Sequence, residues 1–274
     1  MPISPILRGQ STYPFVRLND VAAARRAQGL EVIDFGMGDP REPTDPRIIQ
    51  ALKDGVRERM GYPAAVGLPE LREAISRWAA RRFGVTLDPA DIIPTLGTKE
   101  AIYSFAQVVL DPAAGKDTVL VTEPGYPVYE RGALFAGARV QTLPLLETNG
   151  FLPDLAAVSP EVWRRTALVW VNYPNNPTCV CAPPELYERL ATLAREHDFV
   201  LASDEAYTEL WFDKPPVSAL ELSDLTNVAD FTSRGIDAVN FGPGDPVFAH
   251  RRDEQVDVAA LVRCYETLHR FFAG

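Results

Sequence analysis

Residues 167–207 constrain the fold of this chain more than any other part of the sequence. Two short apolar runs, residues 167–171 and 199–202, have the length and composition of buried parallel strands. Between them, residues 184–197 carry leucines at helical spacing, as expected for a helix that packs on a sheet. Strand, helix and strand together predict an α/β fold with a parallel sheet, in which ligands bind outside the carboxyl ends of the strands.

Polar residues follow both predicted strands. Asn172, Asn175 and Asn176 follow the first strand, and Asp204 and Tyr207 follow the second. A carboxylate, an amide and a phenol at adjacent strand ends suit a flat, nitrogen-containing ring, because the carboxylate can hold a pyridinium proton while the other two donate to a ring oxygen. The structural alternative is that Asn-Pro forms a turn and Asp204 caps a helix.

The motifs N-N-P-T and S-D-E-A-Y, in this order and at this separation, resemble the class I/II aminotransferases, pyridoxal-phosphate enzymes of fold type I. The resemblance covers about the first 220 residues and implies an α/β, three-layer large domain. It implies that Asp204 binds the ring nitrogen of pyridoxal 5'-phosphate and that Asn176 and Tyr207 bind the ring hydroxyl oxygen. It also implies that Tyr126, in E-P-G-Y-P, stacks on the ring, whereas Tyr129 is expected in the core.

A glycine turn before a predicted helix, T-L-G-T-K, indicates a phosphate site. Backbone amides at a helix start point outward with partial positive charge, so they favour anions. We expect Gly97 to admit the phosphate to the backbone, and the amides of Thr98 and Lys99 to bind it. The helix is expected to continue through Val109.

Two further motifs match the family nearer the amino terminus. In Y-x-x-x-x-G-x-x-x-L-R, residues 62–72, the resemblance implies that Tyr62 reaches the cofactor phosphate of a neighbouring subunit, and hence a homodimer. In F-G-M-G-D-P the first glycine of the family's turn, here Gly36 or Gly38, sits against the substrate; we assign Gly38. A packing tyrosine and a plain tight turn are the alternatives. Between these motifs, residues 44–59 are predicted to form an amphipathic helix.

The lysine that forms a Schiff base with the cofactor in this family, within S-x-S-K, has no counterpart here. The sequence contains four lysines, which are Lys53, Lys99, Lys116 and Lys214. We therefore assign no catalytic residue and expect non-covalent cofactor binding at best. Amino transfer between an amino acid and a 2-oxo acid is then impaired or lost, and the alternative is a non-catalytic remnant or binding protein that pairs with an aminotransferase subunit.

Residues 225–256 resemble a different family, the M20 peptidases, at the carboxy-terminal end of a dinuclear zinc desuccinylase that acts on succinyl-diaminopimelate. His250 matches a metal ligand of that family, but its other ligand motifs are absent, so we predict an orphan ligand without metal. Metal-dependent amide hydrolysis is therefore the function that the sequence supports least. The domain prediction is an arm at 1–30, an incomplete aminotransferase large domain at 31–222 and a desuccinylase-like tail at 223–274. Fusion of two neighbouring genes of lysine biosynthesis would explain the joining of these two families in one chain. The aminotransferase part would then resemble the succinyldiaminopimelate aminotransferases.

Composition excludes other classes of function. A net charge of −10 over 274 residues, with dispersed Lys and Arg, argues against a nucleic-acid surface. No apolar run reaches 18 residues and no secretory leader is evident, so we expect neither a membrane span nor export, and predict a cytoplasmic protein. The three cysteines, Cys179, Cys181 and Cys264, are expected to be free thiols. Cys179 replaces the glycine of the family's N-N-P-T-G, which costs strain if that position needs a positive φ.

Overall fold

The computed structural model describes residues 4–9, 14–33, 43–56, 58–59, 61–62, 64–221 and 240–241. The chain divides into two compact units, residues 1–43 and 44–274. In the first unit, helix α1 spans Pro5–Arg8 and helix α2 spans Pro14–Ala27. The end of α2 is closed by Gly29, which adopts a φ of 76° that a glycine accepts without strain.

The second unit holds the sheet and the remaining helices. Its helices are α3 (Pro46–Gly55), α4 (Pro69–Phe83), α5 (Thr98–Val109), α6 (Val128–Phe135), α7 (Pro160–Arg165) and α8 (Pro184–His197). Its strands are β1 (Ile93–Pro94), β2 (Thr118–Glu123), β3 (Arg139–Pro144), β4 (Thr166–Asn172), β5 (Val200–Asp204) and β6 (Asn240–Phe241). None of the described helices combines the length and apolar character that crossing a bilayer requires.

Four of the strands form one parallel sheet in the order β3-β2-β4-β5. The register pairs Asn172, the last residue of β4, with Asp204, the last residue of β5. Strand β2 pairs with β3 along its whole length and ends at Glu123. The carboxyl ends of β2, β4 and β5 therefore lie along the same edge of the sheet, where ligands bind in folds of this class.

Apolar side chains alternate between the two faces of this sheet, so each face buries its own core. One face packs against α7 and α8 through Leu120, Leu143, Trp163, Val169, Val171, Leu186, Leu190, Leu193 and Phe199. The other packs against α5 and α6 through Ile102, Ala106, Val119, Val121, Tyr129, Ala133, Leu168 and Trp170. Helices thus cover both faces, and the predicted three-layer α/β fold is confirmed.

Helix α8 matches its predicted bounds, residues 184–197. Leu186, Leu190 and Leu193 are buried, as their helical spacing predicts. Pro184 occupies the first helical turn, where its missing N–H group costs nothing. Asp198, in the left-handed conformation with φ of 53°, ends the helix and turns the chain into β5.

The prediction for α3 was wrong in its length. The helix begins where the Asp45 carboxylate accepts from the backbone N–H of Arg47 at 2.8 Å, and it ends at Gly55 instead of residue 59. The cause of the early end is local, since Val56 is already extended at φ −73° and ψ 128°. Ala51 and Gly55 are buried and Ile48 is half-buried, whereas Ile49, Leu52 and Val56 are exposed.

Strand β6 lies in the segment predicted as a tail from another family. It pairs in parallel with β1, Ile93 opposite Asn240 and Pro94 opposite Phe241. The backbone of this two-residue strand therefore lies beside the strand that leads into the predicted phosphate turn. Four residues singled out from the sequence, Gly36, Gly38, His250 and Cys264, lie outside the described residues.

Candidate functional site

A buried asparagine joins the ends of β4 and β5. The Asn172 side-chain amide donates to the main-chain carbonyl of Asp204 at 2.8 Å, and its oxygen accepts from the backbone N–H of Asn176 at 2.8 Å. Asn172 is only 1% exposed, so both bonds form away from water. This one side chain therefore fixes the last residue of β5 relative to the turn that carries Asn176.

The Asp204 carboxylate lies at the carboxyl edge of the sheet with a tyrosine as its partner. Tyr129 Oη donates to Asp204 Oδ2 at 2.6 Å, and the backbone N–H of Ala206 donates to Oδ1 at 3.3 Å. Burial raises the pKa of Asp204, although both of these hydrogen bonds act to lower it. Asp204 is half-buried, and no cationic side chain of the described residues bonds its carboxylate.

Asn176 and Tyr207, which follow the two strands, also come together. Asn176 Nδ2 donates to Tyr207 Oη at 3.4 Å. Burial raises the pKa of Tyr207, and the Asp204 charge acts in the same direction, so the phenol keeps its proton at neutral pH. The amide and the phenol are thus two donors at one place, as the sequence predicts for a ring oxygen.

A line of aromatic rings connects this edge of the sheet to α5 and α6. The Tyr126 ring meets the Tyr129 ring edge-on, with centroids 5.8 Å apart. Tyr129 stacks on Trp170 at 5.0 Å, and Trp170 meets Phe105 of α5 at 5.9 Å. Tyr126 remains partly exposed at the end of this line, where a planar ligand can reach its ring.

Tyr129 has a second role that sequence reasoning missed. It is buried, as predicted for a core residue, but its hydroxyl also bonds the central carboxylate. The apolar spacing of α6 identifies the ring as a core ring and gives no sign of the hydroxyl's partner. The signal available in the sequence was its position in the first turn after Tyr126, which brings it to the same sheet edge.

The predicted phosphate turn has the expected backbone conformation. Gly97 precedes α5 with φ of 80° and ψ of 156°, and nothing lies within 4 Å of the place that a Cβ would occupy. Among the described residues no side chain caps α5, because Glu100 bonds the N–H of Leu96 at 2.6 Å instead. The first amides of the helix therefore remain available to an anion. Thr98 and Lys99 carry them.

All four lysines lie within the described part of the chain, and none bonds Asp204, Asn176 or Tyr207. Lys116 is the most buried of them, and its Nζ donates to the main-chain carbonyls of Thr166 at 3.2 Å and of His197. Those carbonyls lie where β4 begins and where α8 ends, at the opposite edge of the sheet from Asp204. The other three, Lys53, Lys99 and Lys214, are exposed.

Tyr62, which was predicted to serve a neighbouring subunit, is fully exposed. The described residues contain no group of three or more His, Cys, Asp or Glu side chains that could hold a metal ion.

The loop that carries Asn176 contains the residue that departs from the family's glycine. Cys179 has a φ of 60°, the positive value on which its predicted strain depends. Its N–H donates to the carbonyl of Asn175 at 2.7 Å, and the N–H of Asn175 donates to the carbonyl of Val180 at 2.8 Å. These bonds hold the loop in a conformation that suits glycine better than cysteine.

Comparison with known proteins identifies the group to which this chain is related. Residues 31–238 match the family described as aminotransferase class I and II. The chain belongs to this aminotransferase family. It is 41% identical over 221 residues to the LL-diaminopimelate aminotransferase of Nitratidesulfovibrio vulgaris, covering 79% of this chain and 56% of that protein. It is 42% identical over 224 residues to the enzyme of the same name from Aquifex aeolicus, with the same coverage.

Solved structures give the same relationship. The chain resembles a mutant aspartate aminotransferase of Thermus thermophilus with a TM-score of 0.75 and 25% identity, over 100% of this chain and 76% of that one. It also resembles a probable N-succinyldiaminopimelate aminotransferase of Thermus thermophilus, with a TM-score of 0.67 and 30% identity, over 76% of this chain and 56% of that one. The chain spans little more than half the length of the curated relatives that it matches.

The cofactor of this aminotransferase family is pyridoxal phosphate. The described residues fit its ring and its phosphate. The half-buried Asp204 carboxylate, which no cation of the described residues bonds, suits a pyridinium nitrogen. Two paired donors, Asn176 and Tyr207, suit the ring hydroxyl oxygen. The backbone amides of Thr98 and Lys99, which follow Gly97 and have no side-chain cap, suit the phosphate. The fit does not extend to a covalent link, because no lysine of the chain bonds this set.

A second half-buried carboxylate follows Asp204. Glu205 Oε1 accepts from Ser203 Oγ at 2.8 Å and from the backbone N–H of Ala219 at 2.8 Å, so it ties residues 218–221 to the end of β5. Burial raises the pKa of Glu205 despite these hydrogen bonds, and the charge of Glu221 adds to the rise. Its ionised form is therefore less favourable in the folded protein than in the unfolded chain.

We expect Cys179→Gly to stabilise the protein by roughly 0.5–1 kcal/mol, because relief of the positive φ exceeds the cost of ordering a glycine. Urea denaturation measures the change. Cys181→Gly is the matched control, since it lies in the same loop without a positive φ, and it should destabilise by about 0.5–1 kcal/mol. Equal destabilisation by both variants would show that position 179 carries no strain.

We expect Glu205→Gln to change the pH dependence of stability. The raised pKa means that the folded protein holds this proton more tightly, so stability falls as pH rises from the unfolded pKa of about 4.3 through the folded pKa. Glutamine removes that fall. Unfolding free energies from pH 4 to pH 8 should therefore decline less in the variant than in the wild type. Glu188→Gln, an exposed control, should follow the wild-type curve.

Proposed function

We propose that this chain is the cofactor-binding part of a pyridoxal-phosphate aminotransferase and holds the cofactor without a covalent bond. The observation that carries the proposal is the half-buried Asp204 carboxylate, which has a hydrogen-bonding tyrosine but no cationic partner among the described residues. A pyridinium ion placed against Asp204 is such a partner and offsets the penalty of burial.

Each remaining residue has one role in this proposal. Asn176 and Tyr207 donate hydrogen bonds to the ring hydroxyl oxygen, and Tyr126 covers one face of the ring. Gly97 admits the phosphate to the start of α5, where the amides of Thr98 and Lys99 bind it. The bound group supplies an electron sink for charge that develops on the substrate carbon. Asp204 maintains that sink by keeping the ring nitrogen protonated.

The substrates follow from the relatives. Proteins named LL-diaminopimelate aminotransferase support an amino acid donor of the diaminopimelate type and a 2-oxo acid acceptor. The Thermus thermophilus neighbour supports the N-succinylated form as the second choice. In this proposal turnover by the chain alone is negligible, because no lysine amine is available as an anchor or as a base for proton transfer. The exposed free thiols of Cys179 and Cys181 suit the reducing cytoplasm.

The alternative is a non-catalytic chain that acts by pairing with an aminotransferase subunit. The full exposure of Tyr62 favours such pairing, because an isolated aromatic ring on the surface gains burial only from a partner. The same residue supports the homodimer implied by the family motif. In both assemblies Tyr62 would reach the phosphate site of the other subunit.

The cofactor proposal is tested by binding. We expect the purified chain to bind pyridoxal phosphate reversibly, without an adduct that borohydride fixes to a lysine. Asp204→Asn keeps the shape and removes the charge, so affinity should fall about 10- to 100-fold. The exposed Asp213→Asn should bind like the wild type. Amino transfer from LL-diaminopimelate to a 2-oxo acid should be undetectable. A chromophore fixed by borohydride to one lysine would overturn the non-covalent part.

The assembly proposal is tested by sedimentation together with binding. We expect association with increasing concentration, and cofactor affinity should rise as dimers form because Tyr62 completes the phosphate site. Tyr62→Ala should remove this concentration dependence, whereas Phe212→Ala, a control at another exposed aromatic residue, should keep it. A chain that stays monomeric alone and also in the presence of an intact aminotransferase would contradict both assemblies.

A further inference from the structure

Tyr129 contacts two of the residues assigned to the cofactor ring. Its hydroxyl donates to Asp204 Oδ2 at 2.6 Å, and its ring meets the Tyr126 ring edge-on at 5.8 Å. Its other ring contact is a stack on Trp170 at 5.0 Å, deep in the core between the sheet and α6. One side chain therefore bridges the group that would hold the ring nitrogen and the group that would cover the ring face.

We propose that Tyr129 is the positioning residue of the ring site, holding the Asp204 carboxylate and the Tyr126 ring in the orientations that the cofactor requires. This inference rests on the proposed function. It adds a residue that touches no part of the cofactor and acts through its two neighbours.

The hydroxyl fixes the plane of the carboxylate. The χ2 torsion of aspartate is soft, so an unrestrained carboxylate rotates freely. A 2.6 Å bond from a hydroxyl to Oδ2 lies in the range of charge-assisted hydrogen bonds and removes this freedom. Oδ1 then has only the long 3.3 Å contact from the N–H of Ala206, and it retains accepting capacity for a ring N–H.

The same hydroxyl supports the charge of Asp204. Within the described part of the chain, the titratable groups that interact with the carboxylate are Tyr129 and Tyr207, and neither is cationic. Tyr129 alone among them gives it a hydrogen bond, which opposes the rise of the Asp204 pKa by burial. Without that donor the carboxylate holds its proton to higher pH, and a protonated carboxyl is a poor partner for a pyridinium ion.

The stack on Trp170 explains why the hydroxyl is held so firmly. Tyr129 is 1% exposed and Trp170 is 4% exposed, and their rings lie only 19° from parallel. A fully buried ring that is stacked on a buried neighbour has one orientation, so its hydroxyl points to one place. Substituting phenylalanine keeps the ring and this stack and removes only the donor.

The test compares Tyr129→Phe with a matched control, Tyr173→Phe. Tyr173 is equally buried, but its hydroxyl donates to a neutral acceptor, the carbonyl of Phe151, at 3.1 Å. Pyridoxal phosphate labelled with ¹⁵N at the ring nitrogen is titrated into each protein. We expect about tenfold weaker binding to Tyr129→Phe, and the bound ring nitrogen should lose its proton about one pH unit lower. Tyr173→Phe should match the wild type in both readouts.

A second experiment measures protein stability and needs no cofactor. Removing the hydroxyl raises the Asp204 pKa further, so the folded variant loses more stability as that carboxyl ionises. The ratio of the unfolding constants of Tyr129→Phe and wild type should therefore increase about tenfold between pH 4 and pH 7.5. The corresponding ratio for Tyr173→Phe should stay constant. In an Asp204→Asn background, the added Tyr129→Phe change should leave this pH dependence unaltered.

The outcomes separate this inference from the function on which it rests. If the wild type fails to bind pyridoxal phosphate, the proposed function is refuted. The stability experiment without cofactor still decides whether the Tyr129 hydroxyl lowers the pKa of Asp204. If the wild type binds but the two phenylalanine variants behave alike in affinity and in pH dependence, the positioning role is refuted. If Tyr129→Phe fails to fold at pH 7.5 yet folds at pH 4, the coupling to an ionising Asp204 is supported.

Discussion

The register of β5 against β4 is the constraint on which the candidate site depends. It sets Asn172 opposite Asp204, and Asn172 then bonds both the backbone of Asp204 and the turn that carries Asn176. A slip of one residue would turn every side chain of β5 to the other face of the sheet. The carboxylate would then lose Tyr129, which reaches it from α6. Site geometry is thus a consequence of strand pairing in the core.

The helix and strands that surround this strand pair could be predicted from the sequence, because buried apolar residues recur at regular spacing. The leucines of α8 gave its bounds to the residue, and the apolar runs of β4 and β5 gave strands that begin or end within two residues of those observed. Helix α3 was predicted too long because apolar residues continue to Val56, while the backbone already becomes extended there. A hydrophobic pattern records which residues are apolar and does not record where the helix ends.

The placement of the candidate site residues was predictable where a sequence motif puts a residue at the end of a predicted strand. Asp204, Asn176 and Tyr207 come together as their spacing implies, and Cys179 has the positive φ on which its predicted strain depends. The role of Tyr129 was not predictable, because a buried phenol looks like any core ring until its acceptor is located. That acceptor is 75 residues away in the sequence, and only the fold brings the two together.

The turn at Gly97 shows that space and backbone conformation constrain a residue separately. Nothing lies near the position of a Cβ there, so a side chain would find room. Its φ of 80° with ψ of 156° nevertheless belongs to a region of backbone conformation that residues of natural handedness avoid. A residue of the opposite hand, such as D-alanine introduced by chemical synthesis, would adopt that backbone without strain. The requirement at this turn is therefore one of chirality, and glycine meets it by having no side chain.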